Sequence, residues 1–146
     1  MRIAPTVESA DMIANETPER LASVLQTAIL ELVRREGPDL TARQLAVFLT
    51  CYLDSEAQTV RGLAADLHVS KPAITRALDR LTEFDLVRRR QDPLDRRSIL
   101  VQRTATGIAF LRELRAILQG AGEQQHVRAE PAQEKRRSDV HLRMMH

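Results

Sequence analysis

Residues 59–103 constrain this chain most, because they combine two closely spaced helical patterns with an arginine-rich hairpin pattern. Leu63 and Leu67 lie on the apolar side of the first helix. Ser70 is a typical N-cap for the second helix, and Pro72 fits its first turn, where the amide that proline lacks would be unpaired. Helices this close together, followed by a β-hairpin, predict a mainly α fold with a winged helix-turn-helix and a small β-hairpin wing.

The second helix of this pattern has an apolar face and a polar face. An apolar residue recurs every third or fourth position and should pack inward, at Ile74, Ala77, Leu78, Leu81 and Phe84. A helix in the major groove reads base edges with the N-terminal part of its exposed face. The candidate base-reading residues are Ser70, Ala73, Thr75 and Arg76, with Pro72 exposed beside them. The candidate phosphate contacts on this helix are Lys71 and Arg80.

A helix face that contacts only water is the alternative. In that case Arg76 pairs with Asp79, and Arg80 pairs with Glu83, each three residues later. Most charged helix faces are simply solvated. The arginine-rich hairpin that follows favours DNA binding over a face that contacts only water.

The hairpin pattern carries a high density of positive charge. Strand-like runs at 86–91 and 98–103 flank the turn-forming sequence DPLDRR. The arginines of this ribbon are Arg88, Arg89, Arg90, Arg96 and Arg97. An arginine at a narrow loop tip suits a narrow minor groove, whose negative potential is enhanced. We expect Arg96 in that role, and Arg90 and Arg97 as further DNA contacts. Alternatively, Arg97 pairs with Asp92 or Asp95 and holds the loop in shape.

The charge distribution agrees with a double-stranded DNA partner. The whole chain has a net charge of only +2, but residues 59–103 contain 10 basic and 6 acidic side chains. Phosphate contacts are made by one face of a protein, so a local basic excess is informative.

Three segments carry a resemblance to a known family. They are LTARQLAVFL (40–49), TVRGLAADLHVSKPAITRALDRL (59–81) and FDLVRRRQDPLDRRSILVQRTATG (84–107). Over about residues 19–118 the chain resembles the MarR family of bacterial transcription regulators. The resemblance implies a homodimer on a pseudo-palindromic operator, usually a repressor, with a small-molecule or oxidant signal that changes its DNA affinity. It also implies that the candidate residues of the recognition helix and the wing tip contact DNA.

The chain departs from the family pattern at three places. Asp85 stands where the family usually has glycine, and Asp tolerates the left-handed conformation better than most residues. Leu94 replaces an arginine that many relatives carry in the wing tip. The third departure is the C-terminal region, where relatives have a long helical pair and this sequence has Gly120, Gly122 and Pro131 among polar residues.

These signals predict the order of segments. A flexible N-terminus (1–17) precedes an N-terminal dimerisation helix (18–36), which Thr17 and Pro18 begin. The DNA-binding lobe (40–103) includes a helix that starts with a capping box from Thr41 to Gln44. A C-terminal dimerisation helix (104–119), capped by Thr104 or Thr106, is followed by a flexible tail (120–146).

Composition and motifs exclude other classes of protein. With no apolar run of membrane length and no secretory signal, we expect a cytoplasmic protein without a membrane partner. The single cysteine, Cys51, excludes an internal disulfide and is expected to be buried packing, with a redox sensor as the alternative. Scattered histidines and the absence of catalytic motifs predict no metal, no cofactor and no enzyme activity.

The sequence is compatible with three functions. The first is a ligand-responsive dimeric repressor. The second is a sequence-tolerant DNA-binding module without a ligand. The third is a winged helix used as a protein-interaction scaffold, which the positive wing and the polar recognition face disfavour.

Overall fold

The computed structural model describes residues 16–143, with side chains described for residues 16–127. Most of the expected flexible N-terminus, and the last three residues of the expected tail, lie outside this range. In chain order the elements are α1 (Pro18–Arg34), α2 (Ala42–Leu53), β1 (Gln58–Thr59), α3 (Val60–Asp66), α4 (Lys71–Glu83), β2 (Val87–Gln91), β3 (Ile99–Arg103) and α5 (Ala105–Arg143). The fold is mainly helical with a small antiparallel sheet, as the sequence predicts.

Side-chain caps fix where the helices begin. The Thr17 hydroxyl accepts a hydrogen bond from the Arg20 amide, at 3.2 Å, at the start of α1. Thr41 and Gln44 form the reciprocal capping box of α2, with bonds of 3.2 and 3.0 Å. Ser70 accepts from the Ala73 amide, at 3.3 Å, and begins α4. Each of these predicted caps is confirmed, because a cap depends only on residues within one turn.

The described residues form two compact units, residues 36–115 and residues 16–35 with 116–143. The core of the first unit is built from α2, α3, α4 and the sheet. Phe48 lies at its centre, stacked on Tyr52 at 4.4 Å between ring centroids and edge-on to Phe110 at 5.0 Å. Leu78 and Leu81 of α4 are fully buried in the same core. The recognition-type helix is therefore held by its apolar face, which leaves its polar face outward.

The sheet has three strands in the order β1-β3-β2. β2 and β3 form the expected antiparallel hairpin, with Arg89 opposite Val101. β1 pairs with the other edge of β3, placing Thr59 opposite Leu100. The prediction of a two-stranded ribbon was therefore incomplete, because a strand of two residues has no periodicity to detect.

A buried hydrogen-bond cluster, which we call the Tyr52 junction, consists of Tyr52, Asp85, Leu86, Thr104 and Gly107. The Tyr52 hydroxyl donates to the Leu86 carbonyl at 2.6 Å and accepts from the Thr104 amide at 2.9 Å. The Thr104 hydroxyl donates to the Asp85 carbonyl at 2.5 Å and accepts from the Gly107 amide at 2.9 Å. Thr104, rather than Thr106, therefore caps α5.

Asp85 ends the turn after α4 in the left-handed conformation. Its φ of 54° confirms that aspartate takes the conformation for which the family usually has glycine. Its carboxylate accepts a hydrogen bond from the Thr106 hydroxyl at 3.0 Å. The side chain that glycine lacks is thus used to hold the start of α5.

The prediction of a flexible tail from residue 120 is wrong up to Arg143, because α5 continues to that residue as one helix of 39 residues. Each of Gly120 and Gly122 disfavours a helix by only about 1 kcal/mol relative to alanine. The surrounding Gln, Glu and Ala residues are good helix formers, but Pro131 disfavours a helix by about 3 kcal/mol, so intrinsic propensity alone does not account for the continuous helix. Within the described part of the chain, no helix is long and apolar enough to cross a membrane.

Candidate nucleic-acid interface

The exposed face of α4 is close to the one that the sequence predicts. Ile74, Ala77, Leu78 and Leu81 are buried and Phe84 is half-buried, whereas the exposed residues are Ser70, Lys71, Pro72, Thr75, Arg76, Asp79 and Arg80. Ala73 is the exception. It is only 7% exposed, so the expectation that it reads a base is wrong. Ala73 neighbours Ile74 on the inner side of the first helical turn, and its small side chain is covered by the lobe.

The two arginines of α4 differ in their partners. Arg80 lies 2.8 Å from the Glu83 carboxylate and 4.5 Å above the Phe84 ring, as the solvated-face alternative expects. Arg76 does not pair with Asp79. Among the residues whose side chains are described, Arg76 has no ion-pair partner, because Asp79 binds Arg89 instead. Arg76 is therefore the arginine of this face that is available to a ligand.

An ion pair joins α4 to the wing. Arg89 Nη2 of β2 lies 2.6 Å from Asp79 Oδ1, and both side chains are partly exposed, at 32% and 51%. Arg88, three residues after Asp85, lies 3.6 Å from the Asp85 carboxylate, and Arg90 is exposed on the same strand as Arg88. A partly exposed pair adds little stability, on the order of 1 kcal/mol or less. Its main effect is to fix the strand relative to the helix.

The wing loop is shaped by its two aspartates. The Asp92 carboxylate accepts from the Leu94 amide at 2.9 Å, and the Asp95 carboxylate accepts from the Arg97 amide at 3.0 Å. Gln91 adds a bond from its side-chain amide to the Arg96 carbonyl, at 2.7 Å. The aspartates therefore hold the loop through the backbone, not through the Arg97 guanidinium as the alternative supposes.

A groove of about 440 Å³ lies between α3, α4 and the wing. Its lining residues are Thr59, Val60, Arg61, Lys71, Thr75, Arg89, Asp95, Arg97, Ser98 and Ile99. Four of these side chains are cationic and one is acidic, so the groove suits an anion. Thr59 and Arg61 were not among the predicted site residues. Their proximity to the wing follows from the pairing of β1 with β3, which the sequence does not reveal.

Cys51 lies in the core of the lobe and is 5% exposed. Burial raises the pKa of its thiol from 9.0 to about 12, against a smaller opposing effect of the Arg103 charge. The prediction of buried packing is confirmed. A thiol that stays protonated at neutral pH is a poor nucleophile and a poor peroxide sensor.

Alkylation should therefore depend on unfolding. At pH 8 the native thiol contains about a thousandfold less thiolate than an unfolded one. We expect iodoacetamide to label Cys51 in urea and to leave it unlabelled in buffer, as followed by intact mass. Between pH 9 and 12 the folded chain retains a proton that the unfolded chain loses, so stability should fall as pH rises. Equal labelling rates with and without urea would contradict the buried thiol.

Comparison with known proteins identifies a family resemblance for the DNA-binding lobe. Residues 40–99 match the model of the MarR family, a range that contains α2, α3, α4 and the wing up to the start of β3. This segment is similar to the MarR family. A search of curated proteins gives no significant match.

Solved structures share the fold of this chain. YusO from Bacillus subtilis has 16% identity and a TM-score of 0.63, covering 97% of this chain and 98% of its own. A mutant of S. aureus MepR has 18% identity and a TM-score of 0.61, with coverages of 97% and 98%. A mutant of E. coli MarR has 24% identity and a TM-score of 0.58, with coverages of 99% and 98%.

Members of the MarR family are transcription regulators and not enzymes. The match over residues 40–99 supports a transcription regulator of a DNA-binding class. Most exposed cationic side chains of the matched segment lie on the α4 face and the wing, and the others are Arg43 of α2 and Arg61 of α3.

Proposed function

We propose that the protein is a homodimeric repressor that binds a pseudo-palindromic operator, with its DNA affinity set by a small-molecule effector. In each protomer, the N-terminal half of α4 enters the major groove, where Thr75 and Arg76 contact base edges. Ser70 and Pro72 lie at the start of the same helix and face the DNA. Lys71 and Arg80 contact phosphates.

The wing contributes a second set of contacts in this proposal. Arg96 enters the minor groove from the wing loop, while Arg90 and Arg97 contact the backbone. The groove between α3, α4 and the wing adds Arg61 to the phosphate contacts. A protein that neutralises several phosphates releases their counterions, so its binding should weaken steeply with salt.

One observation carries the proposal for α4. Arg76 is exposed, one turn from the helix N-terminus, and within the described side chains it has no acidic partner, although Asp79 follows three residues later. An unpaired guanidinium can donate two parallel hydrogen bonds to guanine. Arg80, by contrast, would have to break its ion pair with Glu83 before it could bind guanine in this way.

The dimer is supported by the surface of α1. Leu21, Leu25, Ile29 and Val33 recur every four residues and are 51%, 59%, 43% and 70% exposed in the single chain. Exposure of such an apolar stripe to water is unfavourable, and its burial against another apolar surface is favourable. A second copy of the chain covers it symmetrically in our proposal.

The proposal of a small-molecule effector is supported only by structural similarity to a protein that has been solved with a ligand. S. aureus MepR, which shares 18% identity with this chain at a TM-score of 0.58, has been solved bound to ethidium bromide. We propose that this chain also binds a small molecule and that binding lowers its affinity for the operator. Repression follows if the operator overlaps a promoter.

Selection from a library of random duplexes tests the operator. We expect an enriched inverted repeat with half-site centres about one helical turn apart. Affinity for it should exceed that for a scrambled duplex about a thousandfold, at a protein stoichiometry of two. Sedimentation should give a dimer without DNA. Equal, salt-sensitive binding to both duplexes would favour the sequence-tolerant module, and binding to neither would favour the protein-interaction scaffold.

Asp79 should limit non-specific binding, because it places a negative charge on the proposed DNA face and holds Arg89. We expect Asp79→Asn to bind random duplex several-fold more tightly, with a steeper dependence on salt. Thermal stability should change little, since the lost pair is partly exposed. Glu31→Gln is the matched control, because it also frees an arginine, Arg34, but lies on α1. Equal gains for the two variants would show that only net charge matters.

A further inference from the structure

The wing loop holds a leucine almost fully in solvent. Leu94 is 96% exposed, and of the large apolar side chains that the structure describes none is more exposed. Its neighbours Arg96 and Arg97 are also exposed. Single exposed leucines are common on protein surfaces, so what distinguishes Leu94 is its place in a cationic loop on the proposed DNA face.

The backbone around this leucine is fixed. The Leu94 amide donates to the Asp92 carboxylate at 2.9 Å. The residue before Leu94 is Pro93, whose ring fixes its own φ angle. On the other side, the Ser98 amide donates to the Asp95 carbonyl at 2.9 Å, and the Asp92 amide donates to the Ser98 carbonyl at 2.9 Å. The loop therefore presents the leucine without a large loss of conformational entropy on binding.

Resting on the proposed function, we propose that Leu94 is an apolar minor-groove contact, inserted between the sugar walls of the duplex beside Arg96 while Arg97 holds a flanking phosphate. Leucine is one of the side chains that serve as apolar wedges at base steps in the minor groove. The two arginines supply the charge complementarity that brings a duplex, rather than an apolar protein surface, to the loop.

This contact reads DNA differently from an arginine. A guanidinium is attracted to a narrow, electronegative groove, so it contributes to the salt dependence of binding. A leucine contributes by removing apolar surface from water, which salt screens little. It should also be obstructed by the guanine amino group, which occupies the floor of the minor groove.

Two substitutions separate the apolar contact from charge. We expect Leu94→Ala to weaken operator binding about tenfold at every salt concentration, with the same slope of log K against log salt. Leu94→Arg should steepen that slope by about 0.9 per wing. Leu53→Ala is the matched control, because Leu53 is 57% exposed at the end of α2 and is not part of the wing loop. Unchanged affinity of Leu94→Ala, with normal binding by the unsubstituted protein, would overturn the proposal.

Cleavage chemistry tests the location directly. The chain has a single native cysteine, and that thiol is buried, so an iron chelate can be attached selectively to Leu94→Cys. We expect strand cuts in each half-site with the 3′ offset of minor-groove attack. Replacing guanine with inosine at the cut positions should strengthen binding of the unsubstituted protein but not of Leu94→Ala.

The outcomes distinguish the two proposals. Cuts with a major-groove offset, or no cuts from a labelled protein that binds the operator, would overturn the role of Leu94 alone. Failure of the unsubstituted protein to bind any duplex would overturn the proposed function and this inference together.

Discussion

Gly107→Ala should lower the free energy of unfolding by about 3 kcal/mol or more, and the melting temperature by about 10 °C. A Cβ at position 107 would overlap the Tyr52 hydroxyl and the Leu86 carbonyl oxygen, both of which belong to the Tyr52 junction. Neither can move freely, because the hydroxyl is bonded to the Leu86 carbonyl and the Thr104 amide. Thermal and urea unfolding monitored by circular dichroism would measure the loss.

Gly120→Ala provides the control within the same helix. A Cβ there meets nothing within 4 Å, so the higher helix propensity of alanine should leave stability unchanged or raise it by up to about 1 kcal/mol. A melting temperature for Gly107→Ala equal to that of Gly120→Ala would contradict the close packing of the junction.

Arg76→Ala should weaken operator binding about 10- to 100-fold and relax sequence preference, while binding to random duplex changes little. The range corresponds to the discrimination of about 1–3 kcal/mol that a bidentate arginine–guanine contact provides. Fluorescence anisotropy with the selected operator and a scrambled duplex would measure both affinities under the same salt conditions.

Two other arginines serve as comparisons. Arg96→Ala should weaken both complexes by a similar factor, because a wing-tip cation acts through groove potential and not through base edges. Arg80→Ala should have a smaller effect than Arg76→Ala, since its guanidinium is already paired with Glu83. Equal losses on operator and scrambled duplex for Arg76→Ala would remove this residue from base reading.

The sequence predicted those parts of the fold that depend on near neighbours. The caps at Thr17, Thr41 and Ser70, the buried stripe of α4 and the turn at Asp85 each follow from a few adjacent residues. The extent of α5 did not, because two glycines and a proline suggest a break. Helix formation depends on the sum over many residues and on tertiary packing, and single glycines or prolines do not reveal either.

The candidate interface was predicted less completely than the fold. Helical periodicity identifies the face of α4 but cannot resolve its border, so Ala73 was placed on the exposed side although it is 7% exposed. The partner of Asp79 is Arg89, ten residues along the chain and on a different element. Thr59 and Arg61 join the groove through the short pairing of β1 with β3. Such contacts depend on tertiary structure and leave no local signal.

The position of β2 at the edge of the sheet has a consequence for solubility. An edge strand offers unpaired backbone groups to other chains, and cationic side chains are a common defence against such pairing. β2 carries Arg88, Arg89 and Arg90 in succession, all exposed. The arginines proposed to bind a nucleic acid thus also keep the wings of separate molecules from adding to one another as strands. Neutralising all three should promote aggregation as well as weaken DNA binding.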